Sequence, residues 1–218
     1  MDIDSEKARK LFEIKKNQIK MVIRRGYDAS DEEPLLDYKV DNFLDFYVPI
    51  AKKYKKSVRE VLSKTYKNEN DESLYVFFAD ISSNKQLGVE VINNVLSEMK
   101  KGKNAIIITP IPLSASAKKK ILGLLTYNIY IFMETEMGYD PTEHFLVPKH
   151  RVLGVKEQRD FLSKNGLTVD QFPTILTTDI IARYYGFKPG QVVEIIRTNF
   201  YDSITQESLG YRLVKEDI

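Results

Sequence analysis

The chain has 218 residues, 43% of them hydrophobic and 11% aromatic, enough apolar material to bury a core in one large or two modest domains and too much for a disordered chain. Its 33 basic and 31 acidic residues leave a formal charge of only +2, without the basic excess of a protein that grips nucleic acid unaided. Cysteine is absent, which excludes disulfides, thiolate zinc sites and cysteine nucleophiles and fits a reducing compartment.

The first residues, MDIDSEKARK, contain no apolar signal core, and runs such as AIIIT and YNIYIFM are too short to span a bilayer, so the expectation is a soluble, intracellular chain. From Ser5 to Arg25, Ala8, Leu11, Phe12, Ile19, Val22 and Ile23 recur at helical spacing, and Gly26 follows at a left-handed cap position. This predicts an amphipathic helix with a lysine-rich outer face. After the acidic turn SDEEP, a second helical pattern runs from Leu36 to about Leu62, interrupted by Pro49, and its KKYKK run reads as a solvated face.

The middle third changes grain. LYVFFAD, NAIIITP and NIYIFME are short apolar, β-branched or aromatic runs, separated by the helix-length segments LGVEVINNVLSEM and SAKKKILGLL. That alternation predicts βαβαβ with a largely parallel sheet, because parallel neighbours need crossover helices. The first domain closes near Met137, and MGYDPTEH reads as a linker punctuated by Gly138 and Pro141. Beyond it come EHFLVPKHRVL, a helix KEQRDFLSKNG ended by Asn165 and Gly166, QFPTIL, a helix and strand in DIIARYYGFKPGQVVEIIR, and a last strand LGYRLV. The expected organisation is an α/β N-terminal domain over 1–140 and a small α+β C-terminal domain over 141–218.

Catalytic patterns are scarce. Gly186-Phe-Lys-Pro-Gly190 follows a helix and precedes a strand, the reverse of a phosphate-binding loop, so its glycines read as a cap and a turn. His144 and His150 are separated by a proline-containing extended run and lack the H-E-x-x-H spacing of a zinc hydrolase. A degenerate restriction-endonuclease-like nuclease would find one acid in Asp80, but Asn104–Thr109 carries no second acid for a metal. A free-standing DNA-binding module is the other alternative, resting on Ser114-Ala-Ser-Ala-Lys-Lys-Lys120, where helix-start N–H groups and lysines could meet a phosphate.

The blocks Thr142-Glu-His-Phe-Leu-Val-Pro-Lys-His150, Gln171-Phe-Pro-Thr-Ile175, Asp179 to Arg197 and Tyr211-Arg-Leu-Val214, in this order and spacing, closely resemble the C-terminal assembly domain of the fifth subunit shared by eukaryotic nuclear RNA polymerases. The archaeal polymerase counterpart is similar to this domain alone. Met21-Val-Ile-Arg-Arg-Gly-Tyr27, Leu74-Tyr-Val-Phe-Phe-Ala-Asp80 and Gly88-Val-Glu-Val-Ile92 resemble the jaw domain that the eukaryotic forms add. The resemblance implies a non-catalytic subunit without cofactor, small-molecule substrate or membrane association, its C-terminal domain anchored to the largest polymerase subunit and its jaw beside downstream duplex DNA.

Carried over by block, the expected partner-facing residues are His144, Pro148 and His150 in the first and Pro173 in the second. Arg183, Tyr184, Gly186, Lys188, Gly190 and Arg197 stand in the third, and Tyr211 and Arg212 in the last. Aromatic and arginine side chains are the types that dominate interface energetics, while Tyr184 or Tyr185 facing the core is the competing reading. The DNA-proximal residues implied are Ser114, Ala115, Ser116, Lys118, Lys119 and Lys120. Thr174 stands where the family typically has an arginine, Ile180 and Ala115 where it has prolines, and Thr198 to Ser208 where it has a shorter hairpin, so a longer loop is expected. Usage rich in Lys, Ile, Asn and Tyr suits an AT-rich genome, including that of a large DNA virus. Localisation follows source: the nucleus for a cellular subunit, the virion or host cytoplasm for a viral one.

Overall fold

The computed structural model describes residues 5–80, 86–100, 102–201 and 204–217. The chain divides into two compact units, Met1–Tyr139 and Asp140–Ile218.

The first unit opens with helix α1 (Ser5–Arg24), which ends where Gly26 takes φ +80°. Strand β1 (Tyr27–Asp28), a 3-10 turn (Glu33–Asp37), helices α2 (Val40–Tyr54) and α3 (Val58–Leu62) and strand β2 (Lys64–Asn68) follow. Pro49 does not interrupt the second helical stretch; it lies inside α2. The break comes at Lys55, whose φ is 52°, and α3 restarts on a reciprocal cap. Ser57 Oγ accepts from Glu60 N–H at 3.2 Å, and Glu60 Oε2 accepts from Ser57 N–H at 2.7 Å. A proline forfeits one backbone bond, whereas a capping box satisfies two orphan donors and sets a helix start.

Strand β3 (Ser73–Phe78), α4 (Val89–Met99), β4 (Asn104–Thr109), α5 (Ala115–Leu122) and β5 (Asn128–Met133) form the expected parallel part. Two antiparallel strands extend it, giving one mixed sheet of order β1-β2-β3-β4-β5. Strand β2 escapes sequence reading because KTYKN buries a single side chain, Tyr66. Since β3, β4 and β5 are laid down in one direction, crossovers of one hand put α4 and α5 on the same face. There Ile92, Val95 and Ala117 pack on Ala105 and Ile107. Strand β4 is buried on both faces, the burial that a continuous run such as AIIIT predicts.

Helix α1 lies over the opposite face and departs from the expected lysine-rich exterior at one position. Lys15 is 1% exposed, with its ammonium 5.8 Å from the Phe78 ring centroid. It donates to Gln18 Oε1 at 2.9 Å, Glu32 Oε2 at 3.0 Å and Tyr66 Oη at 3.1 Å, and Tyr66 Oη donates to Glu32 in turn. Burial pulls the lysine pKa down and the Glu32 carboxylate pulls it back up. An ammonium has only three donors, so these partners saturate it and fix the rotation of α1 over the sheet.

In the second unit, β6 (Lys149–Val152), α6 (Val155–Asn165), a 3-10 turn (Val169–Gln171), β7 (Thr174–Leu176), α7 (Ile180–Tyr185), β8 (Val192–Tyr201) and β9 (Ile204–Lys215) build a four-stranded sheet of order β6-β8-β9-β7. Strands β8 and β9 pair antiparallel out to Tyr201↔Ile204, so the described residues of 198–208 are paired strand and not the expected loop. Thr198, Phe200, Tyr201, Ile204 and Thr205 are strand formers, and that signal outweighed the polar residues among them. Alternation along the strands sends Val193, Ile195 and Val214 toward Ile181, Ala182 and Phe187, and Val192, Leu213 and Tyr211 toward Phe161 and Phe172. Helices α7 and α6 therefore cover opposite faces. Among the described residues no helix is long and apolar enough to cross a membrane.

Removing the buried cation tests the first of these units. Lys15→Met takes from buried Glu32 its nearest cation, leaving Lys64 at 3.9 Å, and lowers stability in urea unfolding by about 3 kcal/mol, with the double variant Lys15→Met/Glu32→Leu losing much less. In the second unit Gly186, the cap of α7 at φ 70°, tolerates a side chain poorly. Gly186→Val costs about 1–2 kcal/mol or more in the same measurement, and Gly186→Asn costs less.

Candidate partner-binding surface

The segment expected to be a linker holds a buried carboxylate. Asp140 accepts from Thr142 N–H at 2.9 Å, from the Thr142 hydroxyl at 2.6 Å and from Tyr184 Oη at 3.0 Å. Tyr184, expected to face a partner, is 1% exposed, so its ring is a core element and its hydroxyl ties α7 to the domain entry. Burying an aromatic tyrosine is favourable once its hydroxyl has a partner, and Asp140 supplies one. Tyr185, partly buried, stacks on Phe187 with 5.4 Å between ring centroids.

His144 is exposed, its Nδ1 accepts from Leu146 N–H at 3.3 Å, and its ring stacks on Phe145 at 5.1 Å. Phe145 and Leu146 are 87% and 71% exposed, an apolar pair that residue-type reasoning passed over in favour of the histidine. Pro148 accepts at its carbonyl from His150 Nδ1, 2.8 Å away. Burial holds the His150 imidazole below its ordinary pKa; the Pro148 bond and Asp179 oppose that, and Arg197 and Arg212 add to it. Among the described residues no three acidic or imidazole side chains are placed to hold a metal ion.

Helix α7 starts without the family's proline because Asp179 caps it, accepting from Ile181 N–H at 2.8 Å and Ala182 N–H at 3.4 Å. Arg183 Nε donates to the Thr178 carbonyl at 3.2 Å. Gly186 closes the helix in the left-handed region, and Gly190, at φ +85°, donates its N–H to the Val214 carbonyl at 3.0 Å. Lys188 stands exposed between them, its own N–H donating to Gln191 Oε1 at 2.6 Å. These glycines serve backbone geometry, with helix before and strand after.

Four expected residues from different blocks do meet. Pro173, Arg197, Tyr211 and Arg212 line a surface groove of about 310 Å³, together with Phe172, Ile195, Leu209 and Gly210. Tyr211 packs on Phe161, 4.4 Å between centroids, and donates to Glu194 Oε1 at 3.1 Å; burial pushes its phenol pKa up. Arg212 Nη1 donates to the Thr174 carbonyl at 3.0 Å. Arg197 lies over Gly210, where an added Cβ would come 2.9 Å from its Nη1. Gly210 was not singled out from the sequence, although a glycine inside a strand pattern signals close approach of another group.

In the first unit, Ser114 Oγ caps α5 by accepting from Ala117 N–H at 3.3 Å, so one of the helix-start donors is already used. Ser114 and Ser116 hydroxyls lie 3.0 Å apart. Ala115, Ser116, Lys118 and Lys119 are exposed, while Lys120 bonds Asn93. The loop before them is held by Leu87, which donates to the Pro112 carbonyl and accepts from Ser114 N–H.

Both halves of the chain match described family domains. Residues 5–99 match "RNA polymerase Rpb5, N-terminal domain" and residues 139–214 match "RNA polymerase Rpb5, C-terminal domain". The chain is 31% identical over 216 residues to the DNA-directed RNA polymerases I, II, and III subunit RPABC1 of Caenorhabditis briggsae, covering 97% of this chain and 98% of that one. It is 32% identical over 202 residues to the DNA-directed RNA polymerase subunit 5-like protein 1 of Arabidopsis thaliana, covering 91% and 93%. Similarity across both domains and nearly the full length of such relatives places the chain: it belongs to the Rpb5 family of RNA polymerase subunits.

Proposed function

We propose that this chain serves a multisubunit DNA-dependent RNA polymerase as a structural subunit, its C-terminal domain anchored to the largest subunit and its N-terminal domain forming part of a jaw near downstream DNA. The observation that carries the anchoring role is the meeting of Pro173, Arg197, Tyr211 and Arg212 in one groove from separate sequence blocks. A surface assembled from dispersed positions on a rigid sheet is preorganised, which lowers the cost of docking. His144 with Phe145 and Leu146, the half-buried His150 beside Pro148, and the exposed Lys188 supply further contact on this domain.

The jaw role draws on Lys118 and Lys119, exposed on α5 after Ser116. Their contact with DNA is sequence-independent and made within the complex, as the chain's near-neutral charge requires. For a cellular subunit the working compartment is the nucleus.

Affinity capture of the tagged chain at gentle salt recovers the large polymerase subunits in equal amount; recovery of this chain alone contradicts the reading. Lys118→Ala/Lys119→Ala leaves that assembly intact and lowers the salt slope of duplex binding by the assembled polymerase by about one to two. An unchanged slope would remove the jaw contact from the account.

A further inference from the structure

The face of the C-terminal sheet that carries α7 also carries two arginines that, among the described residues, no acid of the domain answers. Among the described residues Arg197 has neither hydrogen bond nor ion pair, and Arg212 reaches only the Thr174 carbonyl. Arg151, on the other face, shows what a satisfied arginine looks like here. It holds Glu157 through Nη1 and Nη2 at 2.9 and 2.7 Å and Glu194 through Nε and Nη2 at 3.0 and 2.8 Å.

Gly210 makes the arrangement at Arg197 possible. It stands two residues before Arg212 on one face of β9, diagonal to Arg197 across the ladder. Without a Cβ at Gly210 the Arg197 guanidinium lies down on bare backbone, close enough that a side chain there would meet it at 2.9 Å. A glycine inside a strand is unfavourable in itself, so its benefit lies in this close approach. Two like charges then line one groove, and like charges brought together favour an anion between them.

Guanidinium forks match carboxylate or phosphate. The groove's other walls decide between them: Phe172, Pro173, Ile195 and Leu209 are apolar, and Leu209 is 58% exposed. Basic and acidic residues beyond residue 140 are equal in number, so the domain lacks the field that draws in a phosphate backbone. We infer that this groove clasps a carboxylate-bearing, apolar-flanked segment of a polymerase partner chain, Arg197 and Arg212 sharing its Asp or Glu and Pro173 covering the apolar neighbour. This rests on the subunit reading above.

Full-length Arg197→Glu/Arg212→Glu, used as bait for polymerase, recovers about tenfold less or lower than wild type. The equal charge reversal Lys156→Glu/Lys164→Glu on α6 recovers wild-type amounts. A benzophenone side chain at Pro173 crosslinks, in the assembled polymerase, to a protein segment with Asp or Glu within a few residues. Normal recovery with the Arg197/Arg212 reversal overturns the inference while leaving the subunit reading intact, and failure of wild-type capture overturns both. A crosslink to nucleic acid or to an acid-free segment also overturns it. Should the double reversal unfold the domain, the Pro173 crosslink decides alone.

Discussion

The antiparallel ladder between β8 and β9 is the constraint on which the candidate surface depends. Because side chains alternate faces, its register puts Glu194 and Tyr211 directly opposite each other on one side. Ile195, Arg197, Gly210 and Arg212 fall on the other. A slip of β9 by one residue would turn Arg212 and Val214 toward α6 and Tyr211 and Leu213 away from it. The slip is opposed from both faces, by Phe161 and Phe172 packed on Tyr211 and by Ile181 and Ala182 packed on Val193 and Val214. The ion pairs of Arg151 with Glu157 and Glu194 then link β6, α6 and β8 on the α6 side.

Cationic side chains are treated in two opposite ways. In the N-terminal domain Lys15 is surrounded by Gln18, Glu32 and Tyr66, so its charge is consumed by the fold. Such a network specifies the seat of α1 more than it stabilises it, because desolvation offsets most of the Coulomb gain. In the C-terminal domain Arg197 and Arg212 are positioned by backbone and carbonyl alone, which leaves their charge for a partner. Internal satisfaction goes with structure and its absence with recognition.

Much of this was legible in the sequence where one period dominated. The β-branched run NAIIIT, the helix-length segments on either side of it and the glycines at 26, 166 and 186 all sit as patterning and cap chemistry require. What could not be read was pairing over long separations. Glu32 looks like one acid in a charged turn and Lys15 like one lysine on a charged face; only their meeting across the sheet core buries both. Strand β2 carried too little apolar alternation to announce itself. The family blocks pointed to Arg197, Tyr211 and Arg212, but Tyr184 could be assigned to the core only through its bond to Asp140. Gly210 shows its role only when the neighbouring strand supplies the arginine that covers it.

The central claim is that the groove in which Arg197 and Arg212 meet, and not helix α6, is the held surface. Amide hydrogen exchange of the full chain, free and within purified polymerase, tests it directly. The account predicts slowed exchange in the complex over His144 to Val147 and Leu209 to Arg212, with Val155 to Asn165 exchanging at the same rate in both. Protection concentrated on Val155 to Asn165, with Leu209 to Arg212 unchanged, would contradict it.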